Sequence, residues 1–332
     1  MTSLLNDDGL MLFALNGSRP FAELVAQQIG VPLAAHEERD YEDGEHKARA
    51  VESVRGRDVY VIHSLYADAA QSGNDKLCRL LFFIGALKDA GAARVTAVAP
   101  YLAYARKDQK TKPRDPVITR YVAAMFEAVG ADAVVTLDVH NLSAFQNAFR
   151  CRTEHLEANR MFVAWFAPLL KDQEVVVLSP DAGGIKRAEH FRAALAEALG
   201  KPVGMAFAEK HRSSGVVSGD LLVGEVAGKQ AIIIDDLVSS GTTMTRAARA
   251  CIERGAAGVM AAATHGLFMG DAPAMLAESS LRQLVVTDTV PPFRLEHSAA
   301  QAKVSVLSCS GLFARAIQRM HAGESVSALI AP

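Results

Sequence analysis

The sequence has few cysteines, and they lie far apart. No two of the four form a CxxC pair in the 332 residues, and their positions are Cys78, Cys151, Cys251 and Cys309. Closely spaced pairs are expected in a disulfide-stabilised secreted domain or in a zinc site. The spacing therefore predicts four reduced thiols in a cytoplasmic protein.

Long apolar runs and an excess of one charge are also missing. No run approaches the roughly 18 residues that a membrane-spanning helix needs. The first residues, MTSLLNDDGLMLF, show no basic segment followed by a long apolar stretch, so they do not indicate a secretory signal. The 35 basic and 37 acidic residues give a formal net charge of −2, which argues against broad binding to nucleic acid or to a membrane surface.

What is present is enough apolar sequence for two folded domains. Half of the residues are hydrophobic and 22% are charged, which excludes a disordered chain. Continuous apolar runs alternate with helical patterns, as in a parallel sheet covered by helices on both faces. The pattern predicts an α/β fold. The strands are predicted at 58–63, 94–99, 133–137, 174–178, 231–234 and 284–287.

Two helices are predicted in the second half of the chain. Phe191, Leu195 and Leu199 recur at four-residue spacing within 186–199, and Gly200 follows as a stop signal. In 243–254 one apolar face is predicted before Gly255 ends the helix, and it comprises Met244, Ala248, Cys251 and Ile252.

An internal repeat predicts two similar domains in tandem. Residues 54–64 (VRGRDVYVIHS) resemble 226–236 (VAGKQAIIIDD), and 91–95 (GAARV) resemble 255–259 (GAAGV). The first copy is eight residues longer between these marks, and YADAAQSG is where we expect the extra length. Two matches in the same order frame the same strand–loop–helix–strand pattern. The boundary is predicted near residue 150, which gives domains 1–150 and 151–332.

The two copies differ where the equivalent strand ends. The first copy has His63-Ser64 at this point and the second has Asp235-Asp236, followed by LVSSGTT and a helix. Burying two unpaired carboxylates would cost several kcal/mol, so we expect them to face a ligand crevice at the carboxyl end of the strand. Hydroxyl and glycine residues before a helix N-terminus suit a phosphate group. The segment predicts a site for a phosphorylated sugar; the alternative is an acidic strand end with a helix cap.

A second glycine loop follows another apolar strand in 175–188 (VVVLSPDAGGIKRA). Gly183 and Gly184 permit close backbone approach to a ligand, and Asp181 is a candidate Mg²⁺ ligand. Lys186 and Arg187 lie in the first helical turn, where a bound anion would offset their unfavourable position in the helix dipole. Alone, the segment also fits a simple turn with a helix start.

Three further motifs are weak when taken separately. Residues 100–110 (PYLAYARKDQK) place cations and two tyrosines after a strand, which also fits a solvated basic loop. LDVH at 137–140 ends another apolar strand with a histidine that could be structural or a metal ligand. YEDGE at 41–45 fits a surface turn.

Together and in this order, these motifs resemble the ribose-phosphate pyrophosphokinase family. The resemblance runs from about residue 11 to 329 and rests on YEDGE, VRGRDVYVI, PYLAYAR, LDVH, SPDAGGIKRA, KHR at 210–212, the Asp235-Asp236 loop, TDT at 287–289 and GESVS at 323–327. It implies two type I phosphoribosyltransferase-like domains, each a mainly parallel sheet flanked by helices. It also implies transfer of the β,γ-diphosphoryl group of Mg-ATP to the C1 hydroxyl of ribose 5-phosphate, with release of AMP.

The resemblance also implies a role for individual residues. Ribose 5-phosphate would contact Asp235, Asp236, Ser239, Ser240, Gly241, Thr242 and Thr243. ATP would contact Tyr41, Asp43, Gly44, Glu45, Arg106 and Lys107. Mg²⁺ would be held by His140 and Asp181. Lys210 and Arg212 would be catalytic on a mobile loop over 208–219, and the subunits would form a homo-oligomer, hexameric or built from dimers.

The chain departs from the family pattern at several positions. Ser239 stands where the family usually has Asp, Lys107 replaces a usual Gln, and His211 replaces a usual Arg. Segments 111–116 and 141–149 also differ. Three alternatives stay open: a phosphoribosyltransferase that consumes the activated sugar, a non-catalytic regulatory homologue, and, because of Ser239, a related enzyme for another pentose phosphate.

Overall fold

A computed structural model describes residues 9–213 and 216–330 of the protein. For residues 209–213, 216–221 and 330 it describes the backbone only. The chain divides into two compact units. Among the described residues, the first unit contains 9–156 and 309–330, and the second contains Glu157–Ser308.

The first unit is built on a parallel sheet of five strands. In sheet order they are β1 (Leu10–Ala14), β4 (Asp58–Ile62), β5 (Arg94–Val98), β6 (Ala133–Leu137) and β7 (Arg152–Leu156). A separate antiparallel hairpin is formed by β2 (His36–Asp40) and β3 (His46–Ala50). The helices of this unit are α1 (Arg19–Ile29), α2 (Gly73–Asp89), α3 (Ile118–Ala128), α4 (Leu142–Ala148), α9 (Ser310–His321) and α10 (Ser327–Ile330).

The second unit is built on a sheet of seven strands. In sheet order they are β10 (Val216–Val223), β9 (Gly204–Ser213), β8 (Val175–Ser179), β11 (Gln230–Val238), β12 (Gly258–Gly266), β13 (Leu281–Thr287) and β14 (Val304–Leu307). Only β9 and β10 pair antiparallel among these described strands. The helices are α5 (Asn159–Leu170), α6 (Ile185–Leu199), α7 (Thr242–Glu253) and α8 (Ala272–Glu278).

Both units have the predicted α/β architecture. All residues of β4, β6, β8 and β12 are buried, which is why these strands are apolar without alternation. Within the ranges covered, no helix is long and apolar enough to cross a membrane. All four cysteines are free, as their spacing predicts.

The internal repeat is reproduced in the backbone. Asp58 of β4 pairs with Arg94 of β5, and the corresponding pair in β11 and β12 is Gln230 with Gly258. The turn before each first strand closes in the same way: the N–H of Gly56 donates to the carbonyl of Gly91, and Gly228 to Gly255, both at 2.8 Å. Part of the extra length in the first copy lies in α2, which has 17 residues against 12 in α7.

The division of the chain differs from the predicted boundary near 150. Arg152 pairs with Ala133, so β7 completes the first sheet instead of starting the second unit. The last helices also return to the first unit. Phe313 of α9 meets Phe21 of α1 edge to face at 5.6 Å, and His321 Nδ1 lies 2.7 Å from Asp58 Oδ2. The first unit is therefore discontinuous in sequence.

The helix predictions hold with one exception. Helix α6 ends at Gly200, which adopts a left-handed φ of 64°, and Phe191 and Leu195 are buried as expected. In α7, Met244, Ala248 and Cys251 are buried, but Ile252 is 41% exposed. The assignment of Ile252 to the buried face is wrong because that position lies at the edge of the apolar stripe.

Candidate functional site

The candidate sugar site lies at the carboxyl edge of the second sheet. β8 and β11 are parallel neighbours, and each leads into a glycine-containing turn and a helix. Ligands of open α/β sheets bind in the crevice outside the carboxyl ends of such strands. The Asp181 loop and the Asp235-Asp236 loop therefore belong to neighbouring strand ends of one unit.

The two carboxylates face one cation. Arg187 of α6 places Nη1 3.2 Å from Asp236 Oδ1 and 3.7 Å from Asp235 Oδ1. The side chain of Asp236 is only 4% exposed, whereas that of Asp235 is 21% exposed. The pair therefore presents Asp235 toward solvent and keeps Asp236 against the protein.

The electrostatics of this pair are unusual. Burial, followed by the adjacent charge of Asp236, raises the pKa of Asp235 well above its ordinary value, and Arg187 acts in the opposite direction. The ionised form of Asp235 is thus held at an electrostatic cost beside Asp236. Such a cost is typical of functional sites.

The loop after Asp236 forms a cradle of small residues. Gly241 has a φ of 79° and starts α7 as its N-cap, while the hydroxyls of Ser240 and Thr242 lie 3.0 Å apart. The N–H of Met269 donates to the carbonyl of Ser239 at 2.9 Å, which fixes the loop to the segment after β12. Hydroxyls and the N-terminus of a 12-residue helix make this loop suitable for a phosphate group. Thr243 follows in the first turn of α7 and is half-buried.

The Asp181 loop is fixed by its own hydrogen bonds. Asp181 Oδ1 accepts the N–H groups of Gly183 and Gly184 at 3.0 and 3.1 Å. Ser179 Oγ donates to the carbonyl of Asp181 at 2.6 Å. These bonds engage one carboxylate oxygen and leave Oδ2 without a hydrogen bond to any described residue, so Asp181 has an oxygen available to Mg²⁺, which prefers oxygen ligands.

The second predicted Mg²⁺ ligand is in the other unit. His140 lies after β6 in the first unit and is exposed. No group of three or more His, Cys, Asp or Glu side chains that could hold a metal occurs in the part of the chain that is described. Mg²⁺ commonly keeps waters and binds through one or two carboxylates together with substrate phosphates, so a sparse protein donor set fits this ion.

The predicted catalytic residues lie in a strand instead of a loop. Lys210 and Arg212 belong to β9, where they pair with Asp220 and Val217 of β10. Their side chains lie outside the described part of the structure, as do residues 214 and 215. The described backbone on both sides of residues 214 and 215 is therefore strand where the sequence predicts a loop over 208–219, since polar composition does not distinguish a loop from an antiparallel hairpin. The mobility of this segment stays a prediction.

The predicted adenine-binding residues form the tip of the β2–β3 hairpin. The N–H of Tyr41 donates to the carbonyl of Glu45 at 2.9 Å, and Asp43 Oδ1 accepts the N–H of Glu45 at 3.1 Å. Gly44 has a φ of 90°, which closes the turn at a position where other residues are strained. Tyr41 is 40% exposed, and the centre of its ring lies 5.0 Å from the guanidinium carbon of Arg39.

The predicted phosphate-binding residues Arg106 and Lys107 are exposed in the connection after β5. Tyr104 precedes them with a φ of 65°, and its carbonyl accepts the N–H of Lys107 at 3.1 Å. The carbonyl of Lys107 in turn accepts the N–H of Thr119 at 3.2 Å. The N–H and the carbonyl of Lys107 are thus both fixed, while the side chains of Arg106 and Lys107 remain accessible.

Sequence reasoning missed a buried polar network beside the sugar loop. His265 Nδ1 lies 2.8 Å from Thr289 Oγ1, and Thr287 Oγ1 lies 3.0 Å from Thr289 Oγ1 and donates to the carbonyl of Thr264 at 2.7 Å. These residues sit at the carboxyl ends of β12 and β13. The TDT motif at 287–289 was the available signal, but it did not indicate its partners.

Two family models match the chain. The N-terminal domain of ribose phosphate pyrophosphokinase matches residues 10–130, and the phosphoribosyl synthetase-associated domain matches residues 217–331. The ribose-phosphate pyrophosphokinase of Caldanaerobacter subterraneus subsp. tengcongensis is 39% identical over 323 residues, which cover 97% of this chain and 98% of the relative. The enzyme of that name from Fusobacterium nucleatum is 36% identical over 328 residues, or 98% of this chain and 99% of the relative.

The fold comparison agrees with the sequence comparison. The crystal structure of phosphoribosylpyrophosphate synthetase from Mycobacterium smegmatis superimposes with a TM-score of 0.86 at 35% identity, covering 95% of this chain and 99% of that one. The predicted architecture of type I phosphoribosyltransferase-like domains is confirmed. The chain belongs to the ribose-phosphate pyrophosphokinase family.

Proposed function

We propose that this protein is a ribose-phosphate diphosphokinase, which transfers the β,γ-diphosphoryl group of Mg-ATP to the C1 hydroxyl of ribose 5-phosphate. In this reaction the C1 oxygen bonds to the β-phosphorus, the bond from that phosphorus to the α,β-bridging oxygen breaks, and AMP leaves. The hydroxyl proton is released, and phosphoribosyl pyrophosphate is the second product. The observation that carries the proposal is the Asp235-Asp236 pair followed directly by a hydroxyl-glycine cradle at the start of α7.

The second unit supplies the sugar site in this proposal. Asp235 accepts hydrogen bonds from the ribose hydroxyls with Asp236 beside it, while the 5-phosphate lies on the segment Ser239–Thr243. Backbone N–H groups and hydroxyls at a helix N-terminus favour the phosphate charge. The half-buried carboxylate and the cradle would hold the sugar at both ends and so orient its C1 hydroxyl.

The first unit supplies nucleotide contacts in this proposal. Tyr41 stacks against the adenine, and Asp43, Gly44 and Glu45 contact the same end of ATP. Arg106 and Lys107 contact its phosphates. His140 and Asp181 hold Mg²⁺, which when bound supplies neutralising charge to the phosphate oxygens.

Lys210 and Arg212 are the proposed catalytic residues. Diphosphoryl transfer depends on positioning and charge stabilisation more than on covalent chemistry. Two cations placed at the transferring group stabilise the charge that develops on it. Closure of the 208–219 segment, which carries these two residues, would also exclude water, which otherwise hydrolyses ATP.

The proposed setting is a cytoplasmic homo-oligomer, hexameric or built from dimers, in which neighbouring subunits complete the ATP site. The reduced cysteines are consistent with that compartment. No nucleic acid or membrane partner is proposed.

A coupled assay of AMP formation tests the function. Purified protein is mixed with Mg-ATP and a panel of pentose phosphates, which also tests whether Ser239 changes the accepted sugar. We expect AMP and phosphoribosyl pyrophosphate in equal amounts with ribose 5-phosphate. Diphosphate release that depends on an added nucleobase would favour a phosphoribosyltransferase. If the protein alone forms no AMP but changes the activity of an authentic synthetase mixed with it, a regulatory homologue would be favoured.

Replacing Lys210 tests the catalytic assignment. Lys210→Ala is expected to lower turnover by at least about 100-fold, because a single preorganised charge at a transition state contributes this much or more. The matched control is Lys229→Ala, at a half-buried lysine of the same unit that donates to the carbonyl of Glu225 at 3.3 Å. Wild-type turnover in Lys210→Ala would rule out the role.

A further inference from the structure

Arg187 occupies a position that local electrostatics disfavour. It lies in the first turn of α6, where the helix dipole repels a cation. Its side chain is only 25% exposed, so water screens this repulsion incompletely. The two carboxylates at the end of β11 compensate for it, because Arg187 Nη1 is 3.2 Å from Asp236 and 3.7 Å from Asp235.

The contact joins two loops that sequence analysis treats separately. Arg187 follows the Asp181 loop on α6, whereas the acidic pair ends β11. A single guanidinium nitrogen reaches one oxygen of each carboxylate. Asp236 is almost fully buried and is the nearer of the two carboxylates to Arg187. Asp235 is partly exposed, so part of its carboxylate stays accessible to a ligand.

We propose that Arg187 is a positioning residue for the sugar site, which holds Asp235 and Asp236 side by side as acceptors for the vicinal hydroxyls of a pentose phosphate. This inference rests on the proposed function, because it assumes that the acidic pair receives a sugar. Arg187 acts through the carboxylates and is not itself assigned to the reacting atoms.

The charge state of the pair explains why a cation is needed. The charged groups with the largest influence on Asp235 among the described residues are Asp236 and Arg187, and they act in opposite directions on its pKa. Without the guanidinium, two carboxylates would share a poorly solvated site, and one would take up a proton at higher pH. A protonated carboxyl donates a hydrogen bond, so it would lose acceptor capacity for a sugar hydroxyl.

Three variants separate this role from a structural one. Arg187→Gln removes the charge, and Arg187→Lys keeps it but loses the planar fork. Arg192→Gln is the matched control, because Arg192 is on the same helix, is 28% exposed and pairs with Glu189 at 2.6 Å. Steady-state kinetics for both substrates, pH profiles and calorimetric titration with ribose 5-phosphate are measured for each.

For Arg187→Gln we expect the KM for ribose 5-phosphate to rise at least about 10-fold, the loss expected when a charge-assisted hydrogen bond is removed. The KM for ATP should stay within about 2-fold of wild type. The acidic limb of kcat/KM for ribose 5-phosphate should move to higher pH, so that part of the loss is recovered in alkaline buffer. Arg187→Lys should keep the wild-type limb with a smaller rise in KM, and Arg192→Gln should match wild type.

Other outcomes would overturn the inference. A wild-type KM and pH limb in Arg187→Gln would show that the pair needs no cation. A lower kcat with unchanged KM would place Arg187 on the transferring group. If Arg187→Gln fails to fold, a wild-type calorimetric affinity in Arg187→Lys at every pH, with an unchanged KM, would equally contradict the role of the fork. If wild-type protein binds ribose 5-phosphate but forms no AMP, the proposed function fails while the calorimetric comparison still decides the role of Arg187.

Discussion

In the first unit, the residues equivalent to Asp235-Asp236 are His63-Ser64, and they belong to a buried group of polar side chains. His63 is fully buried after β4, with Nδ1 3.1 Å from Ser18 Oγ and Nε2 without a hydrogen-bond partner among the described residues. Lys76 is also fully buried; its Nζ lies 2.6 Å from Asp68 Oδ2 and 3.6 Å from the centre of the Tyr66 ring. One copy of the repeat thus offers an acidic crevice at this strand end, whereas the other has a closed polar cluster.

Replacing His63 should change how stability depends on pH. Burial, followed by the charge of Lys76, lowers the pKa of His63 from 6.5 to about 3. Between these values the unfolded chain binds a proton that the folded protein does not. His63 therefore does not lower the free energy of unfolding above pH 6.5. As the pH falls from 6.5 toward 3, the free energy of unfolding decreases by at most about 1.4 kcal/mol per pH unit because of this residue.

His63→Gln should flatten this slope in urea unfolding curves recorded between pH 6.5 and 4.5. Below that range the carboxyls of Glu38 and Asp68, whose pKa values are lowered, add their own losses as they take up protons. His46, whose pKa is also lowered, leaves a residual slope in the variant. Parallel curves for variant and wild type would contradict a buried neutral His63.

Single residues show where sequence reasoning stops. The chain order places Asp235 and Asp236 at a strand end and Arg187 in the first turn of a helix, and the helix dipole argument predicts an anionic partner for Arg187. It does not identify that partner as the acidic pair. The pairing depends on the register of β8 beside β11, which only the folded sheet provides.

At the scale of elements, six apolar strands were predictable, although the apolar β1 and β12 were missed, and the polar hairpin strands were not predictable. The six predicted apolar runs correspond to β4, β5, β6, β8, β11 and β13. The hairpin strands β2 and β3 have the sequences HEERD and HKARA, which lack a continuous apolar run. In β3 alternate positions are half-buried, but only Ala48 and Ala50 among them are apolar. These strands are held by pairing with each other, by packing of Ala48 and Ala50 against the core of the first unit and by charged contacts, among them that of Arg49 with Glu37 at 2.8 Å. Burial therefore leaves only a short, weak pattern in their sequence.

The turn between β8 and α6 depends on the absence of one side chain. A Cβ added to Gly184 would lie 2.8 Å from Ser179 Oγ, while the φ of Gly184 is −86° and allows any residue. The restriction is therefore steric. Gly184→Ala is expected to cost about 1–3 kcal/mol and to displace the hydroxyl that donates to the carbonyl of Asp181.

The double variant Gly184→Ala, Ser179→Ala is the matched control, because it removes Ser179 Oγ, the atom with which the added Cβ would clash. It should recover a large part of the lost stability in urea unfolding. Because Asp181 is displaced in the single variant, AMP formation should require a higher Mg²⁺ concentration than in the wild type. If the double variant is as unstable as the single one, the clash with Ser179 is not the cause.

At the scale of the whole molecule, the repeat predicts two similar sheets but not how the chain ends. Tandem domains 1–150 and 151–332 follow naturally from a repeat, because a repeat contains no information about a segment that lies outside it. The return of α9 to the first unit depends on apolar contacts between residues almost 300 positions apart, such as Phe21 and Phe313.

Replacing Phe313 tests whether the first unit is discontinuous. Phe313 is fully buried, and Phe313→Ala is expected to cost about 3–5 kcal/mol through lost burial and the cavity left behind. The loss should fall on the first unit, because α9 packs on α1. Hydrogen exchange followed by mass spectrometry should show lower protection in β1, α1 and β4, with unchanged protection in β11, β12 and β13. Gln318→Ala, at an exposed position of the same helix, should leave exchange unchanged in both units. A loss of protection confined to the second sheet would show that α9 is energetically part of the unit that precedes it in sequence.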